Sequence, residues 1–263
     1  MAKEDPTAEQ AEGPVIFKAL HDLYDNRYVL FLPRFADRME VFRRDLAGWD
    51  IEFFEGLDSS DLSMQQFIAD GTYDEDLARR LDRRNKPMTL DTVCCSLGHK
   101  GIYEDMLSKG YERVMIFEDD VFAFPEMEEY LSAMLEQIPE DADLIYWGWL
   151  GYSKAPRFAS ITKAIYHLQH AAGLLRYDHT MIGNLYPKPY NDHFKIAGKQ
   201  FCTHAYSVNR KAAELLVDMQ TPVAYNADNL LMNAVMKGRL NSYIAIPLLF
   251  GQTSIGIDFN PWP

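Results

Sequence analysis

The chain has 263 residues, with 26 Lys and Arg against 39 Asp and Glu, a formal charge of −13, and 48% hydrophobic residues. That composition excludes a wholly disordered chain, and the acidic balance excludes a general nucleic-acid binder, which needs a basic footprint over phosphates. No apolar stretch approaches the ~20 residues of a membrane span, and the N-terminus MAKEDPTAEQAEG has neither a basic nor an apolar leader region. Three cysteines, two of them adjacent, suit a reducing compartment. The expectation is a cytoplasmic protein without a transmembrane segment, with peripheral membrane contact left open.

Residues 1–12 are expected to form a disordered tail and 13–263 a single domain. A short helical pattern runs from Val15 to Tyr24. The apolar run Tyr28-Val-Leu-Phe-Leu32, stopped by Pro33, predicts a strand buried on both faces, as in parallel sheets. A helix over 36–47, with Met39, Phe42 and Leu46 on one stripe, leads to a second strand over 51–54. Residues 59–91 are polar and charge-rich and read as an excursion from the sheet. A helix over 92–108 stops at Gly110. It is followed by the strand Arg113-Val-Met-Ile-Phe117, which opens onto Glu118, Asp119 and Asp120. Met127, Tyr130, Leu131, Met134, Leu135 and Ile138 keep helical spacing, and residues 143–149 form another strand. Residues 152–200, rich in Tyr, His, Lys, Gly and Pro, are expected to be loops with short elements. A strand over 201–208, helices over 210–219 and 227–237 and a last strand over 242–246 complete the chain. This alternation predicts an α/β fold, a mostly parallel sheet with helices on both faces.

The charge is unevenly placed. Residues 114–153 hold ten acidic side chains and no Lys or Arg, whereas residues 154–263 carry eleven basic and six acidic ones. Three adjacent carboxylates at a strand's carboxyl end sit where α/β sheets bind ligands. Their mutual repulsion would be offset by a hard divalent cation, manganese or magnesium; a solvated acidic turn is the plain alternative.

Val114-Met-Ile-Phe-Glu-Asp-Asp120 resembles the metal and nucleotide-sugar motif of glycosyltransferase family 25, the lipopolysaccharide-type glycosyltransferases also related to collagen galactosyltransferases. Cys95-Ser-Leu-Gly-His-Lys-Gly-Ile-Tyr103 resembles the family's Leu-Ser-His helix start, and Val29 to Arg38 its opening Asn-Leu-x-Arg-x-x-x-Arg segment. Phe54-Glu-Gly-Leu-Asp58 resembles its acidic turn, and Thr203 to Ala213 its Ala-Tyr-x-x-(Ser/Asn)-Arg-x-Ala-Ala block. Asp228 stands where the family has an acidic residue. The ordered set covers about residues 28–250. Gly98 in place of Ser, Phe31-Leu-Pro33 in place of Asn-Leu-Asp, and the segment 152–200 depart from the pattern.

The resemblance implies a GT-A-like, Rossmann-type fold and an inverting, metal-dependent transfer of galactose or glucose. The donor would be a UDP-sugar and the acceptor a glycan or glycolipid hydroxyl, plausibly in lipopolysaccharide or surface polysaccharide synthesis. Asp120 would hold the metal, with Glu118 and Asp119 at the ribose, donor sugar or behind the cation. Arg34 and Arg38 would meet phosphate oxygens; an ordinary solvated helix start is the other reading. His99 would cap or contact the nucleotide, or serve as a structural hydrogen-bonder. Asp228 would be the general base, unless it is a helix N-cap, a place Asn226 could equally fill. Gln252 falls in a segment that would close over the nucleotide. Aromatic and basic residues of 152–200, Lys188 and Lys195 among them, would help bind the acceptor. Cys94, Cys95 and Cys202 read as inert core residues. Two other functions stay open: a non-catalytic sugar-binding module, and a metal-dependent nucleotidyl or phosphoryl transferase, for which no Walker-type or GxGxxG run is present.

Overall fold

A computed structural model describes residues 15–35, 37–82 and 84–255; the expected tail lies outside them. In chain order the main elements are α1 (Lys18–His21), β1 (Asn26–Phe31), α2 (Arg38–Asp45), β2 (Glu52–Glu55), α3 (Met64–Ala69), α4 (Glu75–Leu81) and α5 (Leu90–Lys109). Then come β3 (Arg113–Glu118), β4 (Val121–Ala123), α6 (Glu128–Glu136), β5 (Leu144–Gly151), α7 (Ala159–Ala171), α8 (His179–Gly183), β6 (Lys188–Pro189) and β7 (Phe194–Ile196). The chain finishes with β8 (Gln200–Asn209), α9 (Arg210–Met219), α10 (Ala227–Met236), β9 (Ser242–Ala245) and β10 (Phe250–Gln252).

Eight strands form one sheet in the order β2-β1-β3-β8-β5-β9-β7-β6. β1 pairs in parallel with β2 and β3, and β5 with β9, while β8 runs antiparallel between β3 and β5. β7 is antiparallel to β9 and to β6. Only β8 and β7 therefore run against the common direction, so the sheet is mixed but mostly parallel. β3 and β5 point the same way, and both deliver their ends to one edge.

Strand alternation gives the sheet two covered faces. Tyr28, Ile116 and Tyr206 align across β1, β3 and β8. Tyr28 and Tyr206 meet α5, the first through a hydrogen bond to Asp105 and the second through Tyr103 and His99. α5, α9 and α10 pack against one another. On the other face Phe117 meets Phe42, Trp49 and Phe250 edge to face. One continuous core joins both layers. Offset aromatic pairs of this kind add about 1 kcal/mol each beyond the area they bury.

α5 starts on the Thr89 side-chain cap and ends at Gly110, whose φ of 76° suits glycine. Gly98 lies where this helix crosses β1: a Cβ there would stand 2.7 Å from Leu30 Cδ1, so any side chain would displace Leu30. That contact accounts for one departure from the family pattern. The excursion over 59–91 does leave the sheet, but it carries α3 and α4. Tyr73 and Ala78 there share a small satellite core with Val93, Val223 and Ala224. Residues 152–200 differ most from expectation. They contain the thirteen-residue helix α7 and add β6 and β7 to the sheet edge. Their Tyr and His content masked a helical period whose apolar side chains face solvent.

Candidate active site

Glu118, at the end of β3, gathers residues from three other elements. Thr203 Oγ1 of β8 donates to Oε1, and Gln252 Nε2 of β10 donates to Oε2 at 3.0 Å. His99 of α5 brings Nε2 to 3.5 Å from Oε1. Gln252 Nε2 also donates to Asp120 Oδ1 at 3.1 Å, so two carboxylates converge on one nitrogen. The Asp120 carbonyl accepts from Thr253 N at 2.9 Å and from Thr253 Oγ1 at 3.1 Å. β10 is held there because it pairs antiparallel with β4, with Gln252 opposite Val121.

The electrostatics follow from burial and partners. Burial alone would lower the His99 pKa, but Cys95 and Glu118 reverse it and push it up to about 10. Burial alone would raise Glu118; His99, aided by Thr203, holds it below the usual carboxylate range. Asp119 is raised, chiefly by burial, with Arg38 opposing and Asp120 adding repulsion. His204 is buried beside these carboxylates, its pKa lowered by burial. Neither of its ring nitrogens has a hydrogen-bond partner.

Two compartments meet at Glu118. The first, about 340 Å³, has apolar walls from Leu30, Phe31, Leu32, Phe35, Leu57 and Cys94, with Arg34, Arg38 and Asp119 among its polar groups. The second, about 400 Å³, is lined by Thr92, Thr203, Asn226, Ala227, Asp228 and Gln252. Asp91, Cys95 and Glu118 line both. The chain thus has a cleft with an apolar, cation-rimmed half and a polar half, which meet at Asp91, Cys95 and Glu118.

The expected site residues divide clearly. Arg38 lies over the Phe35 ring at 4.2 Å and reaches Asp119 at 3.6 Å. Arg34 pairs with Asp58 at 2.9 Å at the same rim. Asn226, not Asp228, caps α10, accepting from Asn229 N at 2.8 Å. This leaves Asp228 in the first helical turn, half-buried and facing the second compartment. His99 is a correction. It lies mid-helix, not at a helix start, is 1% exposed and lines neither compartment. Its Nδ1 meets the Tyr206 hydroxyl at 2.8 Å, so it supports Glu118 from beneath instead of touching the cleft. Cys95 is a second correction: it is exposed in the cleft, not core, whereas Cys94 is buried. The Cys202 side chain is outside the described set. In 152–200, Tyr152 meets Tyr186 edge to face, and Tyr166 meets Tyr177 in the same way. Lys188 Nζ donates to Asn184 Oδ1 and Lys195 Nζ to the Ser153 carbonyl. Sequence reasoning missed Asp91, to which Ser59 donates, and Thr203, because no local motif ties either to residue 118.

Donor chemistry decides whether a divalent cation suits this site. Among the described residues no three His, Cys, Asp or Glu side chains form a metal cage. Magnesium bound beside phosphates takes only one or two protein carboxylates and fills its shell with phosphate oxygens and water. Glu118 and Asp120 each aim an oxygen at one point, which the Gln252 amide nitrogen holds. That two-oxygen set fits such an ion once the amide turns aside. Asp119, drawn to Arg38, is not in the set.

Residues 24–231 match the family described as glycosyltransferase family 25 (LPS biosynthesis protein). The chain belongs to glycosyltransferase family 25. A family 25 member from Aedes aegypti is 32% identical over 130 residues, covering 46% of this chain and 20% of that one. An inactive family 25 member 3 from Homo sapiens is 29% identical over 140 residues, covering 48% of this chain and 22% of that one. The chain spans about a fifth of the length of the curated relatives it matches. Mouse xyloside xylosyltransferase 1 aligns over 82% of this chain and 63% of its own, at 12% identity and a TM-score of 0.35. No helix among the described residues is long and apolar enough to cross a membrane.

Proposed function

We propose that this family 25 chain is an inverting glycosyltransferase that moves galactose or glucose from a UDP-sugar to a hydroxyl of a glycan or glycolipid acceptor. Lipopolysaccharide or another surface polysaccharide is the product class. The observation that carries this reading is the placement of Asp228, which faces a polar compartment joined at Glu118 to an apolar one with arginines at its rim. An apolar wall suits a nucleobase, and Arg38 suits a diphosphate.

In this reading the donor lies in the first compartment and the acceptor hydroxyl enters the second. As the hydroxyl oxygen bonds to the anomeric carbon, its proton passes to the Asp228 carboxylate. The bond from that carbon to the diphosphate breaks, and the diphosphate leaves with the electron pair. Glu118 orients the donor between the halves, fixed by Thr203 and His99. A manganese or magnesium ion held by Asp120 and Glu118 would supply positive charge to the departing diphosphate.

A second reading has one specific observation behind it: relatives such as the human family 25 member 3 are named inactive. A degenerate site would bind donor without consuming it. The test is nucleotide release from UDP-, GDP- and CMP-sugars, with and without manganese and acceptor. Asp228→Asn is expected to lower turnover by about 10²–10⁴-fold while donor binding persists. Near-normal transfer by that variant would show that the base lies elsewhere. Donor binding without release by the wild-type chain, across acceptors, would favour the inactive reading.

A further inference from the structure

The segment that departs most from its family pattern presents an unusual surface. Ile161, Ile165 and Leu168 fall at spacings of four and three, which places them on one narrow stripe of α7, and Phe158, three residues before Ile161, stands at the helix's N-cap. All four face solvent, as does Leu174 just beyond the helix, with exposures between 47% and 79%. The helix is not loosely held. Ala159 and Tyr166, on its other side, pack against Met181, Leu185, Tyr186, Met232 and Met236 of a separate small core. Lys163 Nζ donates to the Gly183 carbonyl at 2.8 Å. Anchored α7 therefore holds its aliphatic stripe outward, where a contiguous apolar patch marks an interaction surface.

Charge identifies what would cover it. In a chain of net charge −13, residues 144–177 contain no Asp or Glu at all, but they contain Lys154, Arg157, Lys163 and Arg176. Lys154 and Arg157, just before the stripe, are exposed. Lys188 is exposed too, and it lies close enough to Lys163 for the two charges to interact. A second copy of the chain laid on this face would bring the same basic residues together, with no acidic group in the segment to meet them. The stripe stands on a single projecting helix, not in a groove. A basic flank beside a convex row of aromatic and aliphatic side chains is the form taken by helices that lie in a bilayer interface.

We propose that α7 docks the protein on an anionic lipid bilayer, with Phe158, Ile161, Ile165, Leu168 and Leu174 entering the headgroup boundary and Lys154 and Arg157 meeting lipid phosphates. β5 runs parallel to β3, so the chain leaves Gly151 for α7 at the same sheet edge that carries Glu118. Docking needs neither donor nor acceptor, so it stands or falls apart from the transfer reaction.

The experiment is flotation of the full chain with large vesicles of phosphatidylcholine alone, or with about one third phosphatidylglycerol added. The wild-type chain is expected to float with the anionic vesicles only, and to be released by added salt. Ile165→Asp with Leu168→Asp, and separately Lys154→Glu with Arg157→Glu, should each cut binding by about tenfold or more, with unchanged circular dichroism and melting temperature. The second pair, on exposed side chains, keeps the test valid if the first disturbs folding. Absence of wild-type binding, or equal binding by both variants, overturns the proposal. So does a wild-type dimer in solution that Ile165→Asp with Leu168→Asp converts to monomer, which would give the stripe to a second copy.

Discussion

The edge of the sheet around Glu118 and the outer face of α7 break the usual sorting of residues in opposite directions. At the edge, three consecutive carboxylates are drawn into the protein and held by Thr203, Gln252, His99 and Arg38. On α7, large aliphatic side chains are turned out into water, although Ala159 and Tyr166 on the same helix are partly buried against a small core. Each departure costs stability when considered alone. The difference is that the first is compensated inside the molecule, by hydrogen bonds and an ion pair, whereas the second has no compensation within the described residues. A charged network that is internally satisfied belongs to a site that keeps its shape without a ligand. An apolar face left uncompensated belongs to a surface completed from outside.

Substitutions can break this comparison at either end. The largest loss of stability is expected from Glu118→Ala. It removes the partner of a buried imidazole and the acceptor of Thr203, and leaves Gln252 with Asp120 alone, at about 3 kcal/mol in a urea titration. A cost near zero would mean that the network does not hold the edge together. A pH series on His99→Gln gives an intermediate effect. Glu118, held below its ordinary value, adds stability that is complete above about pH 4.5 and disappears as pH falls through its lowered native value. His99, raised from 6.5 to about 10, adds stability that is complete below pH 6.5 and fades as pH climbs toward 10. The wild-type chain should therefore lose stability on the alkaline side over that interval, and His99→Gln should flatten that limb. The smallest effect is expected from Leu168→Asp, within about 0.5 kcal/mol of wild type, because the side chain already faces water. A loss comparable to that of a core leucine would show that α7 buries this residue.

Much of the fold was legible because burial on both faces leaves continuous apolar runs. β1 and β3 were found that way, and the acidic residues marked where β3 stops. The stripe of Met39, Phe42 and Leu46 located α2, and Gly110 ended α5. The direction of β8 was not legible, since an apolar run reads the same for either orientation of a fully buried strand. Nor was the tie between Gln252 and Glu118, which are 134 residues apart and share no local spacing. Asp228 was found through its family position, but separating its role from helix capping required seeing Asn226 take the cap. α7 was missed because the amphipathic rule assumes that the apolar stripe faces the core, and here it does not. His99 was identified but misplaced, because a motif gives a residue's neighbours in sequence without saying which way the helix turns it.

The short ladder between β4 and β10 has a consequence in time. It delivers Gln252 to Glu118 and Asp120 from the far end of the described chain, across a very long loop in sequence. Such contacts are slow to form, because the intervening chain must be ordered before they bring any gain. During refolding, helical signal from α5 and α9 should therefore return before the acidic edge is assembled. Recovery of donor binding would then trail recovery of ellipticity, so that ligand affinity reports when the last strand has closed.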